Sequence, residues 1–458
     1  MGTGNQLLIA VLAVCAGAAR AADVRAYKSA ENTWSQAILA AVAANPGGSI
    51  ELPVVDGHYL IDNRQGPLVI TGFTGALRFD PGAKLVCQFP TRGCLVLAGG
   101  ANARLENLRI AYLPVPVTRI NEPAFNARNT YDLRVVGAVI ENSPAAGILI
   151  SASYRPLVTQ SVILSSLADG ISFENSEDGV VTDSTTNDTG DDGISFINYE
   201  RSNQIEFPDL RGGLAANVKV RNSRARGIAV PGQSNVVVSN FVVENTSASG
   251  ILVLQDTSFS TRQPVNVKFH NGLVIDAGRL APAKATPYGV NYSGTGGLVE
   301  FSDITVVNPA DRGLSGMAPG GRLSARNIYI VGGTDGVNIG RTRSVELSGI
   351  TAEDSGGYGI FVNTGGNWVS AGNLRAVNVS RSSTLRRAVW FENNGDVQVR
   401  GVNVIDEQNN PTGYIVGGFR NGRIVMTGIQ AMIRSGTVAF TCPESTPGAR
   451  YFCDAEPF

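Results

Sequence analysis

The chain has 458 residues, with 37 Lys and Arg against 38 Asp and Glu, a net charge of −1 and only two histidines. That balance removes the electrostatic pull expected of a protein that binds nucleic acid or an anionic membrane. Two histidines, His58 and His270, cannot build a histidine-rich zinc centre, and neither sits in a setting that suggests a Ser-His-Asp triad, so chemistry here falls to carboxylates.

In chain order, Leu7 to Ala18 is an apolar run of small residues, and Ala19-Arg20-Ala21 follows as an A-x-A cleavage site. Residues 1–21 are therefore predicted to be a secretory signal peptide, and the mature protein, 22–458, to be secreted or periplasmic. Cys15 leaves with the leader. Cys87, Cys94, Cys442 and Cys453 remain, an even set read as two local disulfides, which suits an oxidising compartment. No later apolar run is long enough to span a bilayer. Residues 32–44 read as an amphipathic helix capped by Asn32 or Thr33 and closed by Asn45-Pro46-Gly47-Gly48.

From Gly147 onward a repeat dominates. A Gly followed by Ile, Val or Leu and an alternating strand recurs at Gly147, Gly170, Gly193, Gly227, Gly250, Gly289, Gly313, Gly336 and Gly359. Subtracting each of these numbers from the next gives 23, 23, 34, 23, 39, 24, 23 and 23. A period in the twenties with β-branched strands means a solenoid, and the leucine consensus of leucine-rich repeats is missing. The chain is predicted to be all-β, a single-domain parallel β-helix of ~23-residue coils. Five positions before the glycines a second column runs through Asn142, Ser165, Asp188, Asn222, Asn245, Asn308 and Asp354, residue types that accept left-handed turns. The helix at 32–44 is expected to cap one end and residues 437–458 the other, leaving no need for a partner and hence a monomer. The long intervals predict two loops, Ile197 to Gly213 and Asp256 to Thr286.

Equivalent positions on successive coils lie about 4.8 Å apart. The residue before each glycine then stacks as Ala146, Asp169, Asp192, Arg226, Ser249, Tyr288, Arg312, Asp335 and Tyr358. A single Asp in this column is a turn residue, as at Asp335. Asp169 and Asp192 on adjacent coils, with Asp191 beside them, instead form an acid cluster in which at least one pKa must rise. That is how a general acid is kept protonated beside an ionised base. The two loops wall a groove over this shelf and bring Tyr199, Arg201, Arg262 and Lys284. With Arg226 and Tyr288 these residues are expected to stack on a sugar and pair with its carboxylates.

The stretch Ala168-Asp169-Gly170-Ile171, Val180-Val181-Thr182-Asp183-Ser184 and Thr189-Gly190-Asp191-Asp192-Gly193-Ile194 resembles the core of the polygalacturonase-like glycoside hydrolases. Those proteins belong to the pectin-lyase-like right-handed parallel β-helix superfamily. The resemblance implies that Asp169, Asp191 and Asp192 are the catalytic carboxylates, water-activating bases and a proton donor, acting with inversion and without a cofactor. The pattern departs where the next coil reads Ala225-Arg226-Gly227 instead of Gly-His-Gly, and where Ile251-Leu252-Val253-Leu254 replaces Arg-Ile-Lys. The expected function is an exported hydrolase of an acidic, uronate-containing polysaccharide. The alternative is a polysaccharide lyase or uronate epimerase, with Ca²⁺ held by Asp169 and Asp192 and Arg226 as the base. A non-catalytic glycan-binding surface protein is the third reading.

Overall fold

The structure, a computed structural model, describes residues 21–202, 205–294, 296–380, 387–406, 414–433, 438–441 and 450–455. Residues 1–20 of the expected leader, Cys442 and most of the expected C-terminal cap fall outside them.

Successive coils stack as a solenoid whose strands pair in parallel along its length. One face is a 15-stranded sheet whose strands follow one another strictly in chain order. Its middle contains β1 (Ile148–Ser151), β2 (Ile171–Glu174), β3 (Ile194–Ile197), β4 (Ile228–Pro231), β5 (Ile251–Leu254) and β6 (Val290–Ser293). The register stacks Ile148, Ile171, Ile194, Ile228, Ile251 and Val290 in one column. These side chains are fully buried, as are Phe173 and Phe196 two positions on, whose rings stack at 5.1 Å. Alternation sends every second residue outward, so Leu149, Ser172 and Ser195 form the floor of the outer face.

The repeated glycines are there for space. None of the nine has a positive φ. A Cβ on Gly193 would meet the Val220 side chain from another face and, at 2.7 Å, the Gly227 carbonyl oxygen of the next coil. Gly193→Ala is accordingly expected to cost about 1–3 kcal/mol by overpacking, measured as a lower midpoint in denaturant with an unchanged slope. An unchanged midpoint would show that the coil relaxes around the methyl group.

The left-handed column forms as the sequence predicts, with Asn142, Ser165, Asp188, Asn222, Asn245, Asn308 and Asp354 all between φ 53 and 60. Asp276, at φ 53, also belongs to it. A second such column, through Asn217, Asn240, Asn271 and Asp303, was not legible. It bends long strands such as Gly213–Ser223 and Val236–Thr246, and these strands join the other faces into one 23-stranded sheet.

The single α-helix among the described residues, α1 (Trp34–Ala44), starts at Thr33, whose side chain forms a capping box with Gln36. It buries Ala37, Ile38, Ala41 and Val42 against the first coils, and Trp34 meets Tyr59 edge-on at 4.7 Å. Cys87 and Cys94 form a disulfide.

The loops differ from expectation in one respect. Val238 pairs with Phe269 and Ile251 with Val290, both longer steps along the chain than the plain coil that pairs Ile148 with Ile171. The strand Val267–Ile275 thus splits the predicted Asp256–Thr286 loop into two shorter ones, one on each side of the outer face. A third insertion precedes the strand Phe125–Arg128 and lengthens the step from Leu95 to its partner Phe125. It lies upstream of the clear repeat, where no periodicity exposed it.

Candidate active site

The turn before β2 and the turn before β3 carry the acids. Gly147 N–H donates to the Asp169 carbonyl, Gly170 N–H to that of Asp192 and Gly193 N–H to that of Arg226, so these residues stand on consecutive coils. One carboxylate oxygen from each of Asp169, Asp191 and Asp192 lies within 4.8 Å of the other two. They line a groove of about 580 Å³ together with Ser172, Glu174, Tyr199, Arg226, Phe259, Lys284 and Arg119.

Asp192 is the deepest of the three, 2% exposed. Its Oδ1 accepts from the Arg226 backbone N–H at 3.1 Å, and the Arg226 Nε lies 2.9 Å from the same oxygen. Burial outweighs the guanidinium, and with Asp169 and Asp191 nearby the Asp192 carboxyl is pushed up to about 7. Asp169 is raised too, first by burial and then by Asp191. Its Oδ2 accepts from the Ser195 hydroxyl at 2.7 Å, and its Oδ1 from the Asp192 backbone N–H at 3.2 Å. Ser195 in turn lies 2.8 Å from the Ser172 hydroxyl. Asp191 is the more accessible acid, with its side chain 25% exposed, and it pairs with Arg119 Nη1 at 2.7 Å.

The predicted binding residues divide. Arg226, Tyr199 and Lys284 line the groove, but Arg226 is committed to Asp192 and lies 3.9 Å from Asp191. The other three do not line it. Arg262 donates to the Phe207 carbonyl at 2.7 Å and lies 3.9 Å from Asp209, so it braces a wall from behind. Arg201 sits exposed in the small hairpin of Arg201–Ser202 with Ile205–Glu206. Tyr288 lies beneath the Arg312 guanidinium, 5.1 Å from ring centre to carbon. That face of the ring is thus taken by Arg312, and Tyr288 does not line the groove.

Glu174, Phe259 and Arg119 are among the lining residues that escaped the sequence reading. Glu174 was accessible in principle, since alternation along Ile171-Ser172-Phe173-Glu174 puts it on the same outward face as Ser172. Burial, then Asp169, pushes its carboxyl up to about 7. Phe259, 68% exposed in the groove, comes from the loop after β5. Arg119 arrives on the upstream insertion and had no signal.

The family model described as a right-handed β-helix region matches residues 87–212. The fold is a right-handed parallel β-helix. The catalytic domain of a GH87 α-1,3-glucanase in complex with nigerose superposes on this β-helix with a TM-score of 0.52 at 14% identity, covering 92% of this chain and 68% of that one. The family 28 exopolygalacturonase of Yersinia enterocolitica gives 0.48 at 13% identity, covering 91% and 78%. A variant of the periplasmic alginate epimerase AlgG gives 0.48 at 12%, covering 86% and 84%. No curated protein matches the chain.

Proposed function

We propose that the protein is an exported glycoside hydrolase that cleaves a polysaccharide held along the groove, with Asp192 as proton donor and Asp191 and Asp169 as the water-activating pair. The observation that carries this reading is one buried carboxyl, pushed up by burial, with two further carboxylates within 4.8 Å, all lining a groove of about 580 Å³. Protonated Asp192 donates to the glycosidic oxygen as its bond to the anomeric carbon breaks. Water adds to that carbon, and its proton passes to Asp191, the acid open to solvent.

The GH87 glucanase supports the reading. Its sugar complexes include three variants with one aspartate replaced by alanine, two of those aspartates being consecutive and the third one coil's length of chain before the pair. Here Asp191 and Asp192 are consecutive and Asp169 stands one coil before them. The resemblance to polygalacturonases implies inversion, whereas carboxylates within 4.8 Å fall short of the ~6.5–9.5 Å usual for it and nearer the ~5–5.5 Å of retaining enzymes. The anomer released first, read by proton NMR, decides between them.

The substrate this groove favours is a neutral glycan. A uronate needs free cations, yet Arg226 and Arg119 are paired with Asp192 and Asp191, and Arg201 and Arg262 lie off the groove, which leaves Lys284 as the one unpaired cation among the described lining residues. The lyase or epimerase reading loses its base for a related reason. The Asp192 charge holds Arg226 still more firmly protonated than a free guanidinium. Ca²⁺ fits poorly at Asp169 and Asp192, because six to eight oxygens at about 2.3–2.6 Å would have to displace a guanidinium already 2.9 Å from Asp192.

Purified protein is therefore expected to release reducing ends from a neutral polysaccharide, without forming an ultraviolet-absorbing unsaturated sugar, and to keep its rate in a chelator. Ultraviolet-absorbing products or loss of activity to the chelator would restore the lyase reading. The leader predicted at 1–21 and the Cys87–Cys94 disulfide support export. No helix among the described residues is long and apolar enough to cross a membrane.

A further inference from the structure

The groove wall beyond β2 and β3 is a single built unit. Glu200 N–H donates to the Ser260 carbonyl at 2.8 Å, and Arg262 N–H to the Asn198 carbonyl at 2.8 Å. Tyr199 and Thr261 form an antiparallel bridge between the two loops. Behind it, Asn175 donates to the Asn198 side chain and the Tyr199 carbonyl, at 3.0 and 2.8 Å, fixing the wall to the coil that bears Glu174. The wall therefore presents Tyr199 and Phe259 to the same groove that Glu174, the last residue of β2, lines.

Among the described residues, the Glu174 carboxyl has neither a hydrogen-bond partner nor an ion pair, and the Tyr199 hydroxyl is likewise unpartnered. Both are only part-exposed. Half-buried polar groups without partners are costly to a fold and normally find a ligand or water. Phe259 adds an aromatic face exposed in the same groove, where a folded chain gains nothing from leaving it bare.

We propose that Glu174, Tyr199 and Phe259 form a subsite for one neutral sugar ring, with Phe259 against the ring's apolar face and the other two bonded to its hydroxyls. This rests on the reading of the groove as a glycan site and deepens it by assigning substrate charge at one position. A neutral pyranose supplies both donors and acceptors to a carboxyl and a phenol. A uronate there would set its carboxylate against Glu174, with Asp169 nearby and, among the described residues, no free cation facing the groove from this wall. Lys284 belongs to the loop on the opposite side of the sheet, and Arg119 and Arg226 are spent on Asp191 and Asp192.

The test is calorimetric binding to the full chain carrying Asp192→Asn, with an α-1,3-linked glucose tetrasaccharide and a galacturonate tetrasaccharide as probes. The glucose oligosaccharide is expected to bind and the galacturonate to bind at least ten-fold more weakly. Adding Glu174→Ala should weaken glucose binding about ten-fold and Tyr199→Phe about five-fold. Glu174→Gln, which keeps a donor and an acceptor, should stay within three-fold and folds in any case where the alanine variant does not. In the active enzyme Glu174→Ala should raise KM with little change in kcat. Binding of the glucose probe that ignores Glu174→Ala and Tyr199→Phe, or preference for the galacturonate, overturns the subsite while leaving the hydrolase reading intact. If neither probe, nor any glycan in a wider panel, binds the Asp192→Asn form, both fail.

Discussion

Asp192→Asn is expected to lower kcat about 10³- to 10⁴-fold while leaving oligosaccharide affinity within a few-fold. The size follows from the role. Positioned acid–base catalysis is worth about 10²–10⁴, and an amide at this depth can neither donate the proton nor be replaced by water, since Asp192 is 2% exposed. The variant keeps the shape of the site and still accepts from the Arg226 backbone N–H through its carbonyl oxygen. Binding should therefore survive, which separates this outcome from misfolding and makes the variant a trap for bound glycan. Asp169→Asn should cost less in proton donation but disturb the network, because its two oxygens hold Ser195 and the Asp192 backbone in place. Rates are read as reducing ends, and affinity by calorimetry on the same preparations. A variant that binds glycan and cleaves it at the parental rate would remove Asp192 from the proton-donor role, whereas binding without cleavage by parent and variant alike would leave a glycan-binding protein.

What the sequence disclosed, and what it hid, follows from where periodicity exists. Columns along a solenoid are read by subtraction, so Asp169, Asp192 and Arg226 could be placed on consecutive coils from their distance to the next glycine, and the backbone bonds of the turns agree. The left-handed Asn and Asp column was visible for the same reason. Side-chain commitment is not periodic. Arg262 and Arg201 looked like substrate cations because they sit in insertions, yet one braces Phe207 and Asp209 and the other lies off the groove. Insertions carry no register, so the division of the long interval by Val267–Ile275 could not be foreseen. Arg119, far upstream of Asp191, reaches the acid cluster only through folding. Glu174 was the avoidable omission, since the two-residue alternation of a strand already placed it beside Ser172.

Arg226→Met should separate the electrostatic part of the site from its packing. In the parent, burial raises the Asp192 carboxyl from 3.8 to about 7, and the Arg226 guanidinium opposes that rise. The folded state therefore holds this proton more tightly than the unfolded chain, and stability contributed by the group is full below pH 4 and falls as pH climbs toward 7. Catalysis that needs protonated Asp192 fades over the upper end of the same window, giving a descending limb near pH 7 in kcat. Removing the guanidinium takes away the opposing charge, so Asp192 should titrate higher and the descending limb move upward by about one pH unit. Stability should respond in the matching sense. At pH 5 the variant's Asp192 is neutral and the loss is small. At pH 8 the buried charge is either unpaired or must be neutralised by binding a proton, so the one-unit shift should leave the variant about 1 kcal/mol more destabilised at pH 8 than at pH 5. Denaturant melts at the two pH values, set beside the pH–rate profile, check both halves. Equal destabilisation at pH 5 and pH 8 would mean that Arg226 serves only as packing. A limb that stays near pH 7 in the variant would show that a group other than Asp192 carries the proton.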